Sequence, residues 1–264
     1  MIQIKDITDC LEKVAPLSWQ ESYDNSGLIV GNPTMECCGV MVCLDVFESV
    51  VQEAIAKGCN LIVSHHPFIF KGIKKLDFES ETAKILSLAI KHDIAIYATH
   101  TNMDSAATGV SFMLAKALGL ENICRLLPSN ESDNAYFGLG AIGYLPKQTK
   151  AKDFLLRVKQ NLDLPAIRYI GDEEKAVEKI AICGGAGAEF LEDAIKNNCD
   201  CYLTGDIKYH IFHNTENRII LADIGHFESE QFIKQRIIEI ISENFSNFAR
   251  LFISQEKNRV KYII

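Results

Sequence analysis

Apolar residues at Ile4, Ile7, Leu11 and Val14 stand three or four positions apart, the spacing of one helical face, and predict a helix over 4–14. The polar stretch Ser22-Tyr23-Asp24-Asn25-Ser26-Gly27 then breaks that face, and Leu28-Ile29-Val30 reads as a short strand. Apolar runs over 39–44 and 60–64 predict buried strands, with a helix over 48–57 between them that Gly58 closes. A helix over 80–92, a strand over 94–98 and a helix near 109–118 continue the alternation. Strand and helix in turn is the pattern of an α/β fold with largely parallel pairing.

The pattern lapses over 125–136, where polar residues crowd around Pro128, and this stretch is expected to link two lobes, 1–125 and 126–264. Strands follow near 137–144, 166–170 and 178–183, with a helix over 151–161. A helix over 188–197, strands over 201–204 and 218–222 and a long helix from 227 to 243 come next. Residues 250–263 read as a closing hairpin around Glu256-Lys257-Asn258.

The two halves match at an offset of 140 residues. Val42-Cys43 falls on Ile182-Cys183, Ala54-Ile55 on Ala194-Ile195 and Cys59-Asn60 on Cys199-Asp200, while His65-His66 meets Gly205-Asp206. The next strand also has a counterpart, 94–98 with 219–222, and each copy ends near a histidine followed four residues later by a carboxylate: His100 with Asp104, His226 with Glu230. An internal duplication is therefore expected, giving two related strand–helix–strand lobes with polar clusters at equivalent strand ends. Open α/β sheets bind their ligands beyond those carboxyl ends.

Composition narrows the field. The chain has 264 residues, 48% of them hydrophobic and 23% charged, the balance of a folded domain or two. Its net charge of −8 disfavours nucleic acid as a partner, because little in it would displace phosphate counterions. No apolar run approaches the roughly 20 residues of a membrane span, and the N-terminus, acidic by Asp6, has no apolar signal core, so a soluble cytoplasmic protein is expected. Nine cysteines are an odd number at irregular spacing, and several lie inside apolar runs, as buried free thiols do.

The chemistry gathers at strand ends. His65 and His66 leave the strand 60–64 together, ahead of Pro67, and extended chain would point them to opposite sides, a pair better suited to two ions than to one. A non-functional loop is the plain alternative. His226 and Glu230 stand four apart on a helix, a chelating pitch, or else a solvent-facing pair. Asp104 follows another strand exit, where it either binds metal or caps a helix near 107–109. Three histidines and two carboxylates form a nitrogen and oxygen set that suits zinc, iron or manganese better than magnesium. Cys183-Gly184-Gly185-Ala186-Gly187 reads as a tight turn or as an anion contact through backbone N–H groups, but lacks the lysine and spacing of a phosphate loop. Lys71, Lys74 and Lys75 form a solvated run or meet an anionic substrate. The chain has no G-x-S-x-G elbow for a serine nucleophile.

Together Val63-Ser64-His65-His66-Pro67-Phe68-Ile69-Phe70-Lys71-Gly72, Thr99-His100-Thr101-Asn102-Met103-Asp104 and Gly225-His226-Phe227-Glu228-Ser229-Glu230 resemble the GTP cyclohydrolase 1 type 2 homolog family, the Nif-three-like metal proteins. Tyr23-Asp24-Asn25-Ser26-Gly27-Leu28 and Leu203-Thr204-Gly205-Asp206 extend the resemblance over most of the chain. It implies a dinuclear metal site in which His66 and Asp104 bind one divalent ion, His65 and His226 the other, and Glu230 bridges both. It also implies two related α/β lobes, a homohexameric ring with the metals facing an inner cavity, and a small-molecule substrate. The reaction implied is hydrolytic opening of the GTP imidazole ring with loss of formate. In that chemistry His100 is the residue to carry a proton. The same ligands would serve a phosphoesterase, or a metal-binding scaffold without catalysis.

Overall fold

The computed structural model describes residues 1–128, 138–248 and 250–263. In chain order its first elements are α1 (Ile4–Val14), β1 (Gly27–Val30), β2 (Val40–Cys43), α2 (Glu48–Ala56), β3 (Leu61–Ser64), α3 (Glu81–Lys91), β4 (Ala95–Ala98) and α4 (Thr101–Asp104). Then come α5 (Val110–Ala117), β5 (Glu121–Pro128), β6 (Gly138–Lys150), α6 (Ala151–Asn161), β7 (Arg168–Ile170) and β8 (Ala176–Ala186). The last are α7 (Leu191–Lys196), β9 (Cys201–Gly205), α8 (Tyr209–His213), β10 (Ile220–Asp223), α9 (His226–Glu230), α10 (Ile233–Asn244) and β11 (Leu251–Ile253).

The chain divides into two compact units, Met1–Met103 with Ile233–Lys257, and Asp104–Phe232 with Asn258–Ile264. The boundary thus differs from a single break at 125/126. Its physical reason is pairing: β11 runs parallel to β2, Leu251 opposite Val40 and Ile253 opposite Val42, so the end of the chain completes the first sheet. The same pairing replaces the expected hairpin over 250–263. Residues 125–128 belong to β5 instead of a linker, and 129–136 fall within a stretch, 129–137, that lies outside the described residues.

In the first unit the sheet order is β1-β4-β3-β2-β11, with β4, β3, β2 and β11 parallel and β1 antiparallel at the edge. Strands β2, β3 and β4 are buried at every position, which is why they read as unbroken apolar runs. Met41, Ile62 and Ile96 pack with Val50, Val51 and Ala54 of α2 and Ile85 and Ala89 of α3. Helix α1 starts at a reciprocal cap, with the Gln3 N–H donating to Asp6 Oδ2 at 2.8 Å, and buries Ile4, Ile7 and Leu11.

The second unit holds a six-stranded sheet in the order β5-β6-β8-β9-β10-β7. Strands β8, β9 and β10 are parallel, β7 is antiparallel to β10 at one edge, and β6 is antiparallel to both β5 and β8. Phe154, Val158, Leu203 and Ala222 pack on one side, Tyr202, Leu221, Leu191 and Ala194 in a separate cluster. Each unit therefore has an antiparallel edge strand followed by parallel strands, four in the first unit and three in the second, whose carboxyl ends point one way. The helix expected over 227–243 is two helices, α9 and α10, parted by a turn at Gln231-Phe232. Among the described residues no helix is long and apolar enough to cross a membrane.

Candidate metal centre

All four histidines of interest sit just past the carboxyl end of a parallel strand. His65 and His66 follow β3, His100 follows β4, and His226 follows β10. The ladder carries the first pair one step further: the His65 N–H donates to the Cys43 carbonyl at 3.0 Å and the His66 N–H to the Leu44 carbonyl at 2.9 Å. There the chain bends, so the strict alternation of strand side chains ends at Ser64. In place of opposite directions, the two rings stand 4.9 Å apart, and the His100 ring lies 5.3 Å from His65 and 5.5 Å from His66. The nearest ring nitrogens of these three lie within 4.8 Å of one another. His65 is fully buried.

Each imidazole is fixed through the same nitrogen. His65 Nδ1 donates to the Thr99 carbonyl at 2.8 Å, and His66 Nδ1 meets Asp45 Oδ1 at 2.9 Å. His100 Nδ1 meets Asp24 Oδ1 at 2.7 Å, and His226 Nδ1 meets Asp206 Oδ2 at 2.7 Å. A proton held on Nδ1 leaves Nε2 with the lone pair, the tautomer a metal requires, and an anionic partner on the far side raises ligand basicity. The donor set and its orientation therefore fit divalent transition metals.

The anchors are themselves held. Asp24 accepts from the Thr101 N–H and hydroxyl, Ser26 Oγ and the Asn25 N–H as well as His100. Burial alone would push its carboxyl up, but the hydrogen bonds from His100 and Thr101 and the charge of His100 outweigh that and hold it well below the usual carboxylate range. The backbone N–H of Asp45 donates to Glu256 Oε2 at 3.1 Å, and that of Leu44 to Glu256 Oε1 at 2.5 Å. The Glu256 side chain is fully buried and pairs with Lys234 at 3.4 Å. The end of the chain thus fixes the carboxylate that fixes His66.

In the second unit, His226 opens α9 and Glu230 closes it; His226 Nε2 lies 3.2 Å from Glu230 Oε2, and Glu230 is almost wholly buried. Gly225, at φ +76°, makes the turn into α9, and its N–H donates to Asp223 Oδ1 at 3.1 Å. Asp104 is the half-buried last residue of α4. It is not the N-cap of α5, a position held by Gly109 with no side-chain cap.

The glycine run is neither a tight turn nor an anion contact. Cys183 to Ala186 ends strand β8, and its N–H groups are committed: Gly184 donates to Ser111 Oγ at 3.2 Å, Gly185 to Ser229 Oγ at 2.9 Å and Gly187 to Thr204 Oγ1 at 2.9 Å. A Cβ on Gly185 would fall on Glu230 Oε1, so the glycine makes room for that carboxylate. The cysteines take no part. All nine are free and only Cys38 and Cys124 are exposed. Burial pushes the thiols of Cys10, Cys59 and Cys199 up to about 11 and that of Cys37 up to about 12.

The anchors Asp24, Asp45, Asp206 and Glu256 escape a motif reading of the ligands alone. Asp45 and Asp206 do leave a trace, as carboxylates placed at the exits of β2 and β9.

The chain is 34% identical over 230 residues to a GTP cyclohydrolase 1 type 2 homolog of Clostridium acetobutylicum, covering 87% of this chain and 85% of that one. It is 30% identical over 256 residues to the protein of the same name from Clostridium perfringens, covering 97% of both. The crystal structure of a Bacillus cereus protein related to NIF3 superposes with a TM-score of 0.92 at 26% identity, over 100% of this chain and 99% of the other. Residues 2–259 match the model of Duf34/NIF3, NGG1p interacting factor 3, and the chain belongs to that family.

Proposed function

We propose that the chain is a metal-dependent hydrolase with two divalent ions, His66 and Asp104 holding one, His65 and His226 the other, and Glu230 shared between them. The observation that carries this reading is the common fixing of four imidazoles through Nδ1, which aims four Nε2 lone pairs from parallel strand ends. The bound ions, zinc, iron or manganese by donor type, supply Lewis acidity and a water of lowered pKa. The chain's own residues position and move protons. Asp24, held ionised, orients the His100 ring, the part a carboxylate plays behind an acid–base histidine. The substrate proposed is a nucleotide, and the candidate reaction, suggested by the relatives' name, is hydrolytic opening of the GTP imidazole ring with release of formate. Assembly as a homohexamer in the cytoplasm completes this reading; light scattering at micromolar concentration tests it, and a mass of one chain refutes it.

One observation favours a second role for His100. Its Nε2 is freed in the same way as those of the other three histidines, and it stands in a cluster with His65 and His66, as a further ligand would. Metal content and formate release from GTP, measured on the same variants, separate the roles. As a proton carrier, His100→Ala keeps both ions and loses about 10²–10⁴-fold in turnover. As a ligand, it loses metal. Glu230→Gln should reduce occupancy of both ions and Asp104→Ala chiefly that of one. Metal-loaded wild-type protein that turns over neither GTP nor other nucleotides refutes the hydrolase.

A further inference from the structure

Two large aromatic side chains stand in solvent beside the histidine cluster of the first unit. Tyr23 is 63% exposed and Phe70 is 43% exposed. Their ring centroids are 6.3 Å apart with the planes tilted by 47°, and Phe70 meets the His100 ring edge-to-face at 6.2 Å. Neither loop is free to drift: the Asn25 side-chain amide donates to the Ile69 carbonyl at 2.6 Å, tying the segment that carries Tyr23 to the one that carries Phe70. Asp24, the residue after Tyr23, accepts five hydrogen bonds, one of them from His100. Exposed rings tied to each other and set against the His100 imidazole are the makings of a ligand subsite. Lys71, Lys74 and Lys75, all exposed, follow Phe70 directly.

From this juxtaposition we infer that Tyr23 and Phe70 are the stacking platform for the planar heteroaromatic ring of an anionic substrate, with the lysines after Phe70 meeting its charged group. The inference rests on the proposed nucleotide hydrolase and adds the residues that select its substrate. Aromatic stacking tolerates any base, so the platform selects flat rings over bare sugar phosphates, and losing one of its rings should weaken binding roughly 5- to 150-fold.

Calorimetric titration of the metal-loaded full chain with GMP, AMP and ribose 5-phosphate tests this. Wild type should bind both nucleotides at least about tenfold more tightly than ribose 5-phosphate. Phe70→Ala and Tyr23→Ala should bring both nucleotides towards ribose 5-phosphate, with ribose 5-phosphate affinity and metal content unchanged, and Phe70→Trp should restore them. Lys71→Ala with Lys74→Ala should weaken all three probes alike. Equal affinity of wild type for nucleotide and sugar phosphate, or no binding of either, overturns the platform, as do alanine variants that leave nucleotide affinity intact. A change of mass in light scattering without a change in base affinity also overturns it, showing a contact between copies instead. Stacking that survives in protein without turnover counts against the hydrolase and not against the platform.

Discussion

Gly185→Ala puts the site's packing to a quantitative test. Gly185 has φ +65°, and a Cβ there would overlap Glu230 Oε1 and lie 3.4 Å from His226 Nε2. Gly119 supplies the control, because it has φ +73° and nothing within 4 Å of its Cβ position. Gly119→Ala should therefore cost only the left-handed backbone, about 1–2 kcal/mol. Gly185→Ala should cost that plus about 1–3 kcal/mol of overpacking, unless Glu230 swings away and relieves the strain at the expense of metal binding. In a Glu230→Ala background the overlap is gone, and the cost of Gly185→Ala should fall to that of the control. Urea unfolding of the metal-free proteins followed by far-UV circular dichroism gives the stabilities, and elemental analysis of the metal-loaded proteins gives the occupancy. Gly185→Ala no less stable than Gly119→Ala, with its metal content intact, would refute the assignment of this glycine to the Glu230 carboxylate.

Removing Glu256 should be costly far beyond its own side chain. Glu256→Ala takes from the buried Lys234 ammonium its Glu256 partner and from the Leu44 and Asp45 N–H groups their acceptor, so unfolding should show a loss of about 2–4 kcal/mol, and His66→Ala, which leaves that network whole, should lose much less. The Asp24 carboxyl titrates lower in the folded chain than in the unfolded one, so its stabilisation is complete above the unfolded value near about 4 and is lost as pH falls towards the folded value. Asp24→Asn should then trail wild type by about 1.5–3 kcal/mol at pH 7, with the gap narrowing at pH 3; a gap of constant size would show that the charge is not what Asp24 contributes.

Local patterns told most about local elements. Helices α1 and α6 lie where their apolar spacing put them, and β2, β3 and β4 are legible because burial on both faces leaves no polar residue to interrupt them. Strand β5 is obscured by polar and charged residues, among them Asn122 and Arg125, that suit an edge strand but read as loop. The break between α9 and α10 carries no glycine or proline, so helical periodicity runs straight through it. Pairing of β11 with β2 joins residues some 210 positions apart, and no local pattern encodes it. At the site, ligand types and spacing are legible, since chelation needs particular atoms. Their anchors are not, because Asp24, Asp45 and Asp206 become partners of histidines only when separate strand ends converge. Four strands of each sheet correspond in order and direction, β1-β4-β3-β2 with β7-β10-β9-β8, whereas β11 and β6 beside them run in opposite senses; the 140-residue offset remains a proposal of duplication from sequence.

Metal stoichiometry decides whether these residues hold two ions. Protein purified without added metal, analysed for elements and by X-ray absorption at the edge of whichever metal it carries, should hold close to two ions per chain. Their separation should be about 3.5–4 Å, as a shared carboxylate requires, with imidazole nitrogen in the first shell of each. Glu230→Gln should abolish the metal–metal distance. A single fully occupied ion, or two whose occupancy is indifferent to His65, His66, Asp104, His226 and Glu230, would contradict the account.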